Sequence, residues 1–225
     1  MSIQELDDMR ARFVTTLDAD VKSLVRLHEK DEKGPGRPGE WLRAIRRSAV
    51  VLTGANLENF IESIVCAGLK HLARIQVKAR KYPEGFRIWR FRHTVYSKNW
   101  GLDNANELAE LSLILYSEVR ELKEDELLLD EMKEKFANPT PENVNWIMRL
   151  LDRPDYLSEI NVKVDGVHTA AVSALHELAR RRNAIAHGDP DEDPDLDDVK
   201  RLSKFARTFS TRVKRDVTSA IEKCI

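Results

Sequence analysis

Cysteine is almost missing from this chain: of its 225 residues only Cys66 and Cys224 are cysteines, far apart and in no metal-ligand spacing. That disfavours both a disulfide framework and a zinc site. Long apolar runs are missing too. The purest, Ala49-Val50-Val51-Leu52, falls far short of the roughly 18 residues a membrane span needs. The first residues, Met1-Ser2-Ile3-Gln4-Glu5-Leu6-Asp7-Asp8, are acidic, which argues against a secretory signal. These absences predict a cytoplasmic protein with no membrane partner. Neither charge is in excess: 37 Lys+Arg face 38 Asp+Glu, a formal net charge of −1. With 42% apolar residues, that balance excludes wholesale disorder. The length suits one large domain or two small ones and is ample for a buried core.

The near-zero net charge conceals strong segregation. Between Lys70 and Trp100 lie nine bases (Lys70, Arg74, Lys78, Arg80, Lys81, Arg87, Arg90, Arg92, Lys98), opposed only by Glu84. Between Asp189 and Asp198 lie seven carboxylates (Asp189, Asp191, Glu192, Asp193, Asp195, Asp197, Asp198) and no base. The distribution of charge therefore says more about partners than its sum does.

Apolar spacings of three and four dominate the rest. Leu6, Met9, Phe13, Leu17, Val21, Leu24 and Leu27 predict an N-terminal helix from Ile3 to about Lys30. Gly34-Pro35-Gly36-Arg37-Pro38-Gly39 reads as a linker. A long helical region is expected from Trp41 towards Lys81, ended by Tyr82-Pro83-Glu84-Gly85, and another from Leu102 to Phe136. Thr140-Pro141 reads as an N-cap followed by proline at the first helical position. Ile160 to Val164 alternates as one short strand, and Asp165-Gly166 is a turn. A helix from Val167 to His187, closed by Gly188, and a last helix from about Leu196 to Glu222 complete the chain. Short loops between long amphipathic helices predict an all-α, up-and-down bundle. We expect one domain over residues 1–225, with an N-terminal helix within 1–33, a basic and aromatic insertion at 82–101, and a motif helix, acidic loop and final helix over 167–225.

The helix ending at His187 carries the most chemistry. At 100° per residue, Arg182 falls within the stripe formed by Ala171, Leu175, Leu178 and Ile185, where a bundle helix normally offers leucine. A buried guanidinium needs a partner, a wet cleft or a route to water. Asn183 lies one turn before His187, and a glycine follows the histidine. Arginine, asparagine and histidine grouped in this way can clamp a phosphate and move a proton beside it.

Arg182-Asn183-Ala184-Ile185-Ala186-His187 resembles the Arg-x4-His signature of the HEPN superfamily, all-helical domains many of which are metal-independent endoribonucleases. Extended to Arg181 on one side and Gly188-Asp189 on the other, it is similar to the RiboL-PSP and MAE_28990 branches. Leu57-Glu58-Asn59-Phe60-Ile61-Glu62 resembles their acidic helix. HEPN toxins paired with nucleotidyltransferase antitoxins often carry Tyr two residues after the histidine; Asp189 stands there, so control by modifying that tyrosine is not supported.

The resemblance implies an RNA-cleaving site that needs neither metal nor cofactor, because RNA supplies its own 2′-OH nucleophile. His187 would exchange protons, Arg182 would hold the scissile phosphate, Asn183 would orient the histidine or the substrate, and Glu58 would position the pair. Five residues separate Arg182 from His187, about 140° around a helix. Homodimerisation, which the resemblance also implies, would bring both copies of the motif to one cleft. Phe86-Arg87-Ile88-Trp89-Arg90-Phe91-Arg92-His93 alternates bases with rings. It reads either as an RNA-tracking groove, with Arg181, Arg87, Arg90 and Arg92 binding substrate, or as an amphipathic strand or hairpin packed on the core. The partners expected are RNA, tRNA included, a second copy of the chain, and a cognate antitoxin or defence-system protein. The rival readings are a non-catalytic HEPN-like scaffold and a plain interaction domain with a chance motif.

Overall fold

The computed structural model describes residues 3–31, 39–97, 105–158 and 160–225. Its axis is α3 (Glu40–Arg74). Leu57, Ile61, Ile64, Val65, Leu69 and Leu72 are all buried, more than one stripe, so this helix must be covered on several sides. The covering is supplied by α1 (Ile3–Leu17), α2 (Ser23–Asp31), α8 (Ala171–Ala186) and α9 (Leu196–Glu222). Among the described residues α3 alone is long and apolar enough to cross a membrane, and its apolar residues are the centre of the bundle.

The predicted N-terminal helix is present, with a short π-helical stretch, Asp18–Lys22, joining α1 to α2. Most of the predicted Gly/Pro linker lies outside the described residues. The final helix has the predicted bounds. Asp195 caps it by accepting from the Asp198 N–H at 2.6 Å, and Val199, Leu202, Phe205, Phe209, Val213 and Val217 form its buried stripe. Thr140 caps α7 (Pro141–Arg149) as expected, accepting from the Asn143 N–H.

Before residue 140, three expectations are corrected. The long helical region stops at Arg74, where Ile75 caps it and Gln76 takes a φ of 58°; a 3-10 turn, Ala79–Lys81, follows. The single helix expected from Leu102 to Phe136 is two: α5 (Ala105–Leu115) and α6 (Leu129–Lys135). Ser117 accepts from the Val119 and Arg120 N–H groups, a local turn that competes with helix. Val119, in that turn, is 81% exposed. The basic, aromatic segment is a helix, α4 (Glu84–Ser97), not a strand or hairpin. Asp152 caps its start by accepting from the Glu84 and Gly85 N–H groups at 2.9 and 2.6 Å.

The predicted strand is β1 (Asn161–Val164). It pairs antiparallel with β2 (Val167–Ala170), Val164 opposite Val167. Asp165 and Gly166 both have positive φ, 49° and 87°, the backbone that a two-residue hairpin requires. The motif helix therefore starts at Ala171, four residues later than its sequence suggests. Among the described residues this hairpin is the only sheet, and the architecture is all-α.

Candidate active site

α8 lies against α3 and presents its motif residues over its last two turns. Leu175, Leu178 and Ala179 are buried and fix the rotation of the helix. Arg182, next along that face, enters the groove between the helices. Its aliphatic arm lies on Gly54, where a Cβ would stand 3.0 Å from the Arg182 Cδ. Any larger residue there would push the arm out. The guanidinium continues to Glu58, one turn further along α3, with Nη2 3.1 Å from Oε2. Arg182 keeps 26% of its side chain exposed, so it can meet a ligand from solvent.

Among the described residues no hydrogen bond joins the Asn183 side chain to the His187 ring. Asn183 Oδ1 accepts from Asn138 Nδ2 at 2.8 Å, and only its backbone carbonyl accepts from the His187 N–H. Asn138 sits in the α6–α7 connection with a φ of 75°, and its Oδ1 is buried without a hydrogen-bond partner. The sequence reading did not include Asn138. An Asn-Pro pair signals only a local chain turn, and nothing local points 45 residues ahead.

His187 caps α8 and is exposed. The chain then turns through Gly188, whose φ of 78° belongs to the left-handed region that glycine enters without strain. The Asp189 N–H bonds the Ala184 carbonyl and closes the turn. Among the described residues the His187 ring has no hydrogen bond or ion pair, which leaves both nitrogens open to a substrate.

The acidic loop after the turn is no solvated flank. Arg46, 4% exposed, donates to the Pro194 carbonyl at 2.7 Å and to Asp193 Oδ1 at 2.7 Å, and lies 3.0 Å from His28 Nε2. Arg47 donates to the Asp189 and Glu192 carbonyls. Glu192, 8% exposed, receives Arg180 and Arg181, each at 2.6 Å. Arg181 also binds Glu177 and Asp198, and Arg201 bridges the same two carboxylates. Arg201 and then Arg181 hold the Glu177 carboxyl below its usual range. Arg181, expected from the sequence to bind substrate, thus ties the loop to α8 through Glu192.

Glu62, one turn beyond Glu58, is held above the usual carboxylate range by burial; Lys133 opposes the shift and Glu58 adds to it. Burial pushes the Cys66 thiol up to about 12, so it stays protonated and unreactive. No three His, Cys, Asp or Glu side chains converge as metal ligands among the described residues.

The remaining predicted arginines separate. Arg90 turns inward, donating to the Glu126 carbonyl at 2.7 Å and to Thr94. Arg87 donates to the Tyr82 carbonyl and stacks on Tyr116. Arg92 lines an open cleft on the other side of α4.

Residues 16–219 match the family RiboL-PSP-HEPN. Comparison with curated proteins and with solved structures gives no match.

Proposed function

The chain belongs to the RiboL-PSP-HEPN family, and from that premise we propose that it is a metal-independent endoribonuclease. The observation that carries this reading is the placement of Arg182: half-buried against Gly54, steered by Glu58, and still open to solvent. A guanidinium so held is pre-organised for a phosphate. His187, its ring open, exchanges the protons. The 2′-oxygen attacks phosphorus as its proton passes to the imidazole, and the P–O5′ bond breaks as the 5′-oxygen takes a proton from water. The products are a 2′,3′-cyclic phosphate and a 5′-OH.

A homodimer completes each site by pairing the Arg182 of one protomer with the His187 of its partner. Two motif helices related by a two-fold axis place two His187 side chains and two Arg182 side chains along one phosphate path. A cytoplasmic role as the toxin or effector of a bacterial defence or toxin–antitoxin system, with a cognate partner that restrains it, fits such an activity. The Arg182–Glu58 ion pair favours a second reading, in which the arginine is structural and the domain binds RNA or protein without cutting.

Incubation of end-labelled tRNA and single-stranded RNA with the protein in EDTA, beside His187→Ala, separates the two. Cleavage by wild type alone, with 2′,3′-cyclic phosphate ends, is the expected result. Loss of about 10²–10⁴-fold in rate is the usual cost of removing a general acid or base. RNA binding without cleavage by either protein favours the scaffold, and equal cleavage by both removes His187 from the site.

A further inference from the structure

α4 carries Ile88, Arg92 and Tyr96 at spacings of four, with Trp89 and His93 beside them, so one helix face holds rings and bases together. This face forms an open cleft of about 600 Å³ with Trp146 and Arg149 of α7 and Lys135 at the end of α6. Trp89 stacks on His93 with ring centres 5.4 Å apart, and Trp146 meets Trp89 edge-on at 6.5 Å. Lys135 Nζ stands 4.8 Å over the Trp146 ring. Asp152, through its cap on α4, fixes one wall of the cleft to the end of the other.

The charges set this cleft apart. Its lining contains Arg92, His93, Lys135 and Arg149 and no carboxylate. Neither Arg92 nor Arg149 is ion-paired among the described residues. The groove between α2, the hairpin and α9 differs in having carboxylates on its cations, with Lys204 on Asp165 and Arg207 on Asp18. Tyr96 is 77% exposed, so the cleft also shows an uncovered aromatic face. Unpaired like charges beside exposed rings suit a ligand with an aromatic plane and an anionic group. An acidic peptide would satisfy the cations and leave the rings bare.

We propose that this cleft binds a nucleotide, the base against Trp146 and Tyr96 and the phosphate on Arg92 and Arg149. The nucleotide is either one unit of a single-stranded RNA or a free mononucleotide; the two share this chemistry. The cleft stands apart from the motif, although Lys135 lies three residues before Asn138, whose side chain bonds Asn183. The inference therefore holds whether or not the motif cuts RNA.

The test is calorimetric titration of the full chain, with tryptophan fluorescence, using AMP and a 2′-O-methyl oligoadenylate that cannot be cleaved. Binding with quenching is expected. Trp146→Phe should remove much of the quench, and Arg92→Glu with Arg149→Glu should weaken binding by about tenfold or more with an unchanged melting curve. Equal affinity for the two probes identifies a mononucleotide site; binding of the oligomer alone identifies an RNA strand. Absence of binding by both probes, or undiminished binding by the double variant, overturns the proposal. RNA cleavage by a wild type that binds neither probe would leave the nuclease reading intact and this one refuted. Binding without cleavage would do the reverse.

Discussion

The arm of Arg182 lies across the backbone of Gly54, so close that a methyl group on that glycine would stand 3.0 Å from Cδ. Gly54→Ala therefore sets two effects against each other. Alanine favours a helix interior by about 1 kcal/mol over glycine, and the arm it displaces is flexible. The expected variant melts at the same temperature as wild type or higher, yet cleaves RNA about 10- to 100-fold more slowly, because small misplacements of a charge-stabilising group are costly. Thermal denaturation and cleavage rates measured on one preparation check this. Unchanged activity would mean that the seat of Arg182 on α3 has no bearing on the chemistry.

Arg181 is next to Arg182 in sequence but meets different carboxylates. Its guanidinium joins Glu177, Glu192 and Asp198, and Glu192 is almost fully buried. Arg181→Met strands that carboxylate with Arg180 alone. Urea denaturation should show a loss of about 2–4 kcal/mol, the scale of breaking one side of a buried pair. The salt dependence of RNA binding should stay as in wild type, since this side chain neutralises no phosphate. A reduced salt slope with unchanged stability would return Arg181 to the substrate-binding set.

What could be read in advance depended on how far apart the interacting residues lie. The last helix and its cap are local properties of Asp195 to Glu222, and its period gave both ends. Arg182 stood out because it interrupts an apolar stripe, a mismatch visible on one helix. Its seat on Gly54 and its pairing with Glu58 join elements more than 120 residues apart, and only the resemblance of the Glu58 segment hinted at them. Nothing local marks the acidic loop as held, because the arginines that hold it, Arg43, Arg46 and Arg47, lie on α3. Alternation of bases and rings over 86–93 suggested a strand, yet Phe86, Trp89 and His93 also sit three and four apart, and Asp152, some 60 residues on, decides for the helix. Asn138 was invisible because one turn residue's partner leaves no pattern.

Glu62 links stability to pH in a direction opposite to most carboxylates. Burial raises its pKa in the folded state, Lys133 opposes that shift and Glu58 adds to it. Between the ordinary carboxylate value and the raised one, the native chain keeps a proton that the unfolded chain has released. The contribution is therefore full below the unfolded pKa and is lost as pH rises through the folded one. Glu62→Gln removes this loss. The variant should melt above wild type at pH near 7, and the advantage should vanish at about pH 4, where the unfolded carboxyl is itself largely protonated. Melting curves at the two pH values check the sign, and an advantage that persists in acid would assign the effect to packing instead.

The strongest test of the dimer follows from where α8 sends its two functional side chains. Arg182 enters the groove towards Glu58, whereas His187 caps the helix, exposed, about 140° around the axis. If each cleavage site takes Arg182 from one protomer and His187 from its partner, two dead proteins should rescue each other. Arg182→Ala and His187→Ala, mixed and allowed to exchange subunits, form heterodimers in about half the population. Each heterodimer holds one intact composite site out of two, so about a quarter of wild-type activity should return. Sites built within one chain predict no recovery, because every chain in the mixture lacks one of the two groups. Sedimentation of the wild type as a dimer is the required control. Dimers that exchange without recovering activity would confine the chemistry to a single protomer, whose helix would then have to unwind at Asn183 to turn His187 towards the arginine.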